Sequence, residues 1–323
     1  MIPNNKELSL IAKAIKNNKS FFIAGHLNPD GDTLGTGLAL ASLLARLGKK
    51  AKVYSRNPVP DYLKFLHGTG KINITDNARG KFDCAIILEC LDFQRMGDII
   101  ASSQAKTVVN IDHHANFNHF GHVNYIEPKA ASSSEIIFYL FNFLKMKITQ
   151  HEATALYVGL VTDTGKFQYN NTTSSAVYMA SCLIDAGVKP YYVYHKLYST
   201  KTLTSLKLLG LSLNSIKMTP SGKIAYLEIT NDMYKASGSN VTETEGIVNQ
   251  ALKIPKVMIG VLFREEKDKN TVKVSLRSHE NFDVNKVAQY FGGGGHKNAA
   301  GCTFKGSMDL AKKTFLKRLE KLV

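Results

Sequence analysis

Apolar residues recur along this chain in two alternating rhythms, short continuous runs and longer stretches at helical spacing. Phe21-Phe22-Ile23-Ala24-Gly25 is an apolar run, β-rich at its start, that stops at His26 and a Pro29-Asp30-Gly31 turn. Leu34 to Leu47 repeats apolar positions at helical spacing and ends at Gly48, which suits a C-terminal cap. Ala51 to Tyr54 predicts the next strand, Asp83 to Leu88 a buried one, and Val108 to Ile111 another that leads into Asp112. Ser134 to Leu144, Glu152 to Val161 and Ser174 to Ala186 predict helices. Strands alternating with helices point to a parallel sheet with helices on both faces. Ligands of such sheets sit beyond the carboxyl ends of the strands. His26, Glu89 and Asp112-His113-His114 each follow a predicted strand directly, so they belong on that edge.

Gly187-Val188-Lys189-Pro190 is a boundary signal, and the pattern changes beyond it. A tyrosine-rich helix (Tyr191 to Tyr198) and an amphipathic one (Leu203 to Leu213) form a bridge. Then come a strand (Ile224 to Ile229), a helix (Glu243 to Leu252) and strands over Val257 to Phe263 and Thr271 to Leu276. A helix over Val284 to Phe291, a flexible glycine run and a helix over Met308 to Leu322 complete the chain. At 323 residues two cores are expected. The fold class is α/β, with an N-terminal parallel-sheet domain over 1–187, a helical linker over 188–215 and a smaller C-terminal α/β domain over 216–323.

A hydrophobic fraction of 44% is ordinary for a globular protein, and no apolar run approaches the roughly 20 residues of a membrane span. Residues 1–20 are polar and lysine-bearing without an apolar signal core, so a cytoplasmic protein is expected. Cys84, Cys90, Cys182 and Cys302 are scattered without CxxC spacing, which excludes a disulfide framework and a thiolate zinc site. A formal net charge of +15 suits a polyanionic partner, but the lysines are dispersed and equally describe a solvated surface.

The chemistry gathers in a few islands. Asp30 and Asp32 lie two apart, so in an extended loop they point the same way, with His26 upstream. Such a set can hold a divalent ion, and predominantly oxygen ligands with some imidazole favour Mn²⁺ or Mg²⁺. The same Asn-Pro-Asp-Gly-Asp also reads as a polar turn capping the next helix. Asp112-His113-His114 puts three ionisable groups after an apolar strand, costly to bury without a partner that a metal would supply. His119 and His122 read as surface. Asp163 ends an apolar helical stretch, as a cap or as a further ligand. Gly292 to Gly295 can bring backbone N–H groups close to an anion, and His296 adds a donor. Ala130 to Glu135 reads as a capped helix start.

HxxPDGD at 26–32, DHH at 112–114, GLVTDTGKF at 159–167 and GGGGHKNAAG at 292–301 match, in order, the signatures of the DHH/DHHA1 phosphoesterases. Over essentially its whole length the chain resembles their stand-alone nano-RNA hydrolase branch, similar in activity to oligoribonucleases and 3′-phosphoadenosine-5′-phosphate (pAp) phosphatases. The resemblance implies that His26, Asp30, Asp32, His113 and Asp163 are ligands of two divalent ions, Mn²⁺ first and Mg²⁺ as the alternative. It implies that His114 contacts the scissile phosphate and that Asp112 orients its neighbours. The family places a bridging aspartate six residues before an arginine; here Glu89 stands there, with Arg95 in the arginine position. Either Glu89 takes the role or Asp92 replaces it, and the strand-end position favours Glu89. Gly293, Gly294, Gly295 and His296, assisted by Arg277, are implied to bind phosphate or a terminal nucleotide, and Ser132 and Ser133 to touch substrate. The implied activity is two-metal hydrolysis of short RNA to mononucleotides and of pAp to AMP, without a protein nucleophile. A phosphodiesterase for cyclic or linear dinucleotides such as pApA and a non-catalytic nucleotide sensor are the alternatives. Short oligonucleotides and nucleotides are the implied partners, with no membrane and with a homodimer allowed.

Overall fold

The computed structural model describes residues 5–114, 118–199, 201–268, 270–279 and 282–323. The chain divides into two compact units, Met1–Thr200 and Lys201–Val323. The division falls inside the stretch read as a linker, so its first helix joins the first unit and its second helix the other.

The first unit runs α1 (Asn5–Asn17), β1 (Ser20–Ala24), α2 (Gly31–Arg46), β2 (Lys50–Ser55), β3 (Asn73–Ile74), β4 (Phe82–Leu88), β5 (Ala105–Asp112), β6 (Val123–Ile126), α3 (Ser133–Phe143), α4 (Gln150–Asp163), α5 (Ser174–Asp185) and α6 (Pro190–Tyr198). Its strands are parallel in the order β3-β2-β1-β4-β5-β6. The order reverses direction between β1 and β4, the kind of switch point beyond which such sheets bind ligands. Phe21, Ile23, Ile86, Leu88, Val109 and Ile111 pack on the α-helices. Phe22, Ala24, Ala85, Ile87 and Val108 face the other way, under Met96, Ile99 and Ile100. Helical segments cover both faces unequally, with α-helices on one and short 3₁₀ turns at Gln94–Met96 and Ser102–Gln104 on the other. The polar reading of the N-terminus misses α1, where Leu8, Ile11 and Ile15 are buried at helical spacing.

α2 begins three residues before the expected Leu34, because Asp30 caps it. The Asp30 carboxylate accepts N–H bonds from Asp32 (3.1 Å) and Thr33 (3.0 Å). α2 then lies close along α4. A Cβ on Gly35 would stand 2.2 Å from the Ala155 carbonyl oxygen, so no larger residue fits that approach.

The second unit runs α7 (Leu203–Asn214), β7 (Lys217–Met218), β8 (Ile224–Ile229), α8 (Asn231–Ser237), β9 (Ile259–Glu265), β10 (Thr271–Ser278), α9 (Val284–Tyr290), β11 (Gly294–His296), β12 (Ala299–Lys305) and α10 (Met308–Glu320). Its sheet is mixed, ordered β11-β12-β10-β9-β8-β7, with β8 and β9 parallel and the other pairs antiparallel. Val261, Phe263, Val274 and Leu276 pack with Phe315 of α10. On the other side Leu208 of α7 packs with Leu227 and Val248. The helix expected over 243–252 is instead two 3₁₀ segments, Val241–Thr244 and Val248–Lys253, parted by Gly246 at φ +80°. Among the described residues no helix is long and apolar enough to cross a membrane.

Candidate metal centre

The carboxyl ends of three strands and the ends of two helices deliver the ionisable groups. His26 follows β1, Glu89 follows β4, and Asp112 ends β5 ahead of His113 and His114. Asp30 and Asp32 sit at the start of α2, and Asp163 is the last residue of α4.

The extended-loop expectation for Asp30 and Asp32 is corrected: helical geometry turns them apart, Asp30 to the cap and Asp32 into the interior. Asp32 is fully buried. Its carboxylate accepts the N–H groups of Ser133 (2.6 Å) and Ser134 (3.0 Å) at the N-terminus of α3, with the Ser134 and Thr36 hydroxyls. A helix N-terminus and two charge-assisted bonds stabilise an ionised carboxylate there. Gly159 makes the space, since a Cβ would stand 2.4 Å from Asp32 Oδ1 and 2.1 Å from Ser134 Oγ.

Candidate ligand atoms of Asp32, Glu89, His113 and Asp163 all lie within 4.8 Å of one another, and so do those of His26, Asp30 and Glu89. Glu89 belongs to both groups. Its Oε2 is 3.7 Å from His26 Nε2, and its Oε1 is 4.0 Å from His113 Nε2. The residue holds φ +55°, an uncommon and costly conformation for a side chain of its kind. The Thr33 hydroxyl donates to Oε2 and fixes the carboxylate further. Asp92 is in neither group and accepts the Arg95 N–H at 2.8 Å instead.

Two buried atoms in this cluster, Glu89 Oε1 and His113 Nε2, have no hydrogen-bond partner. His113 Nε2 lies 2.9 Å from Asp163 Oδ2, but outside hydrogen-bonding direction. Burial, reinforced by the negative field of Asp32, Asp30 and Asp163, pushes Glu89 well above the usual carboxylate range. Burial also raises Asp163, only partly offset by His113. At His113 burial acts downward, but Asp163 and Asp32 outweigh it and carry the imidazole up to about 9. His26 is raised in the same way, Asp30 and the Leu27 carbonyl outweighing burial. Asp30 itself falls to about 2, because bonds from His26 and Thr33 overcome burial. The cluster therefore concentrates negative charge that a cation would relieve. Oxygen donors with two imidazoles suit a hard divalent ion. The neighbouring Cys90 offers no competing thiolate, since burial pushes its thiol far up.

Asp112 is buried, and its Oδ1 accepts three bonds: from His113 N–H (2.7 Å), His114 N–H (3.0 Å) and His114 Nδ1 (2.7 Å). The His114 ring is exposed and thereby aimed with Nε2 outward. Arg95 is exposed on its 3₁₀ turn, its carbonyl accepting the Leu27 N–H at 2.8 Å, and its charge is felt at His26. His119 and His122 are both exposed. Ser132 and Ser133, expected to touch substrate, are both fully buried. Ser132 caps α3, accepting from Glu135, and Ser133 serves Asp32 through its N–H. Sequence reading assigns no site role to Thr33 and Thr36 of α2, to Ser134, about a hundred residues from Asp32, or to Gly159, all of which touch the cluster.

In the second unit the last two glycines of the run, Gly294 and Gly295, enter a strand where a flexible segment is expected. β11 and β12 form a hairpin with Gly295 opposite Ala300 and His296 opposite Ala299. Ala299 is also opposite Arg277 of β10. His296, Ala299 and Arg277 thus form one cross-strand row on one face, the ends about 10 Å apart by two strand spacings. The glycines are steric requirements: a Cβ on Gly293 would stand 2.2 Å from the Gly301 carbonyl oxygen, and one on Gly295 2.5 Å from that of Ala299. Gly294 has open space beside it.

The model of the DHH family, N-terminal domain, matches residues 20–160, and that of the DHHA1 domain matches 221–323. The chain belongs to the DHH/DHHA1 family. Membership makes it a hydrolytic enzyme of the phosphoesterase class. Several relatives carry the name bifunctional oligoribonuclease and PAP phosphatase NrnA, among them proteins from Thermus thermophilus and Bacillus subtilis. The one from Thermus thermophilus is 28% identical over 302 residues, covering 93% of this chain and 89% of its own. The one from Bacillus subtilis is 28% identical over 281 residues, covering 86% and 87%. The crystal structure of an exopolyphosphatase-related protein from Bacteroides fragilis matches with a TM-score of 0.81 at 30% identity, covering 98% of this chain and 96% of that one.

Proposed function

We propose that this DHH/DHHA1 protein hydrolyses short RNA, a few nucleotides long, to mononucleotides and pAp to AMP, with two divalent cations, Mn²⁺ ahead of Mg²⁺. The observation that carries the reading is Glu89, whose two oxygens face two separate groups of candidate ligands. The names of the Thermus and Bacillus relatives supply the substrate classes. In this reading residues 1–187 form the catalytic domain, 188–215 the linker and 216–323 the substrate-binding domain.

Asp32, Glu89, His113 and Asp163 hold one cation, and His26, Asp30 and Glu89 the other. Bound there, the pair supplies Lewis acidity and activates a water for attack on phosphorus. His114, fixed by Asp112 at Nδ1, presents Nε2 to a phosphate oxygen. Arg95 adds positive charge where the phosphoryl oxygens gain negative charge. Arg277, His296 and the backbone of Gly293 to Gly295 take a second phosphate or the terminal nucleotide, Arg277 by paired guanidinium bonds.

The test is product analysis of the purified full chain with Mn²⁺ against pAp, pApA and RNA from dinucleotides to long chains. AMP from pAp and mononucleotides from the shortest RNA are expected, both abolished by chelation. Absence of any metal-dependent product would leave a binding protein and overturn the reading.

A further inference from the structure

Six residues beyond Asp163 stands Tyr169, 62% exposed yet held by its ring. A Cβ on Gly165 would stand 2.4 Å from the Tyr169 Cζ and 2.6 Å from both Cε atoms, so the ring rests on the glycine backbone. The turn that brings it there is strained: Gly165, Lys166 and Phe167 take φ of +55°, +64° and +64° in succession. Two of the three carry side chains, for which such angles are unfavourable. The turn is nonetheless tied down. The N–H groups of Gln168 and Tyr169 donate to the Thr164 carbonyl, and Asn171 Nδ2 donates to the carbonyls of Asp163 (3.1 Å) and Ala131 (3.0 Å). Phe167 goes inward against the core, which leaves Lys166 and Tyr169 outward. Lys166 Nζ sits over the Tyr198 ring, 4.7 Å from its centroid, and Tyr194 packs on Tyr198 at 5.2 Å.

None of these residues is used by the metal centre, but the support of the ring begins two residues from Asp163. That is at most about 7.6 Å from Cα to Cα. An aromatic ring with a supported side and an exposed side, three residues from a lysine seated over Tyr198, fits the π-face of a nucleobase whose phosphate is negative. We infer that Tyr169 is a stacking platform for a base of the bound short RNA, with Lys166, seated over Tyr198, as the positive charge at its rim. The inference rests on the proposed substrate class. It assigns base recognition that tolerates any sequence, because every base has a π-face.

The chain contains no tryptophan, so Tyr169→Trp installs a single reporter. With Mg²⁺ and a hydrolysis-resistant phosphorothioate dinucleotide, the reporter's emission should be quenched saturably, and far less by an analogue lacking both bases. In steady-state kinetics on a dinucleotide, Tyr169→Ala should raise KM about tenfold, within the range for losing one stacked base. Tyr169→Phe, which keeps the ring, should restore the wild-type KM. Equal quenching by the base-free analogue, or a KM unmoved in Tyr169→Ala, overturns the platform. Quenching that follows protein concentration without dinucleotide gives the face to a second copy of the chain and overturns it too. A chain that quenches normally but hydrolyses nothing keeps the platform and removes the proposed activity instead.

Discussion

The first unit buries the carboxylates of its candidate site, whereas the second leaves the cationic groups of its candidate site more open on the sheet. Asp32, Glu89 and Asp112 are 0%, 5% and 1% exposed, while His296 is exposed and Arg277 half-buried in the cross-strand row. A buried carboxylate needs hydrogen bonds, an opposite charge or a proton. Asp32 and Asp112 have the first of these, and Glu89 largely lacks them. What remains for Glu89 is a proton or an opposite charge, and a bound cation would supply the latter. A half-buried arginine and an exposed histidine carry no such debt and can wait for an anion. The first arrangement suits chemistry in a fixed geometry, and the second suits capture.

That contrast breaks most sharply at the ligands. Asp163→Ala or His113→Ala should lower kcat/KM by more than about a hundredfold, beyond what residues that merely support a ligand cost. The circular dichroism spectrum should stay native. Near-normal turnover in either variant would remove it from the ligand set. Next comes the packing beneath the site. Gly159→Ala pushes a methyl against Ser134 and Asp32, so it should cost about 1–3 kcal/mol in unfolding free energy and weaken Mn²⁺ binding about tenfold or more. Denaturant melts and a metal titration on one sample measure both. In the second unit the expected effect is smaller and of another kind. Arg277→Lys keeps the charge but loses the planar fork, and should raise KM for a dinucleotide about tenfold with little change in kcat. A fall confined to kcat would place Arg277 in the chemistry and erase the division of labour.

A further effect concerns a charge buried away from both sites. Glu152 accepts from Ser42 (2.7 Å), Arg46 (2.7 Å) and the Thr149 N–H (2.8 Å). Burial acts upward on its carboxyl, but these bonds outweigh it and hold the group below its ordinary value of 4.5. Its contribution is therefore full above pH 4.5 and is lost as pH falls through the lower folded value. Glu152→Gln should cost about 1.5–3 kcal/mol at neutral pH, and the gap from wild type should close in acid. A gap that persists unchanged at low pH would show that the charge is not what stabilises.

Much of this was legible in the chain because apolar rhythm and polar interruption coincide. Asp112-His113-His114 stands out since β5 is apolar up to it, and Asp163 stands out at the end of an apolar helix. The four inner strands of the first sheet and most helices follow from the same rhythm, whereas the edge strands β3 and β6 are not anticipated. What escaped depends on contacts across the sequence. Nothing near Asp32 signals that Ser133 and Ser134, about a hundred residues on, will hold its carboxylate. Gly35 and Gly159 read as ordinary helix residues until α2 and α4 approach. The 243–252 segment has helical periodicity, but Gly246 favours the left-handed turn that splits it. The glycine run reads as flexible because a strand without side chains has no pattern, and only its pairing with β12 defines it.

Sharing of Glu89 between two cations is most directly tested by Mn²⁺ binding to the full chain, measured calorimetrically for wild type, Asp30→Asn and Glu89→Gln. Two ions on wild type, one weakened in Asp30→Asn and both weakened in Glu89→Gln are expected. Two tightly bound ions retained in Glu89→Gln would contradict the shared carboxylate and the paired centre built on it.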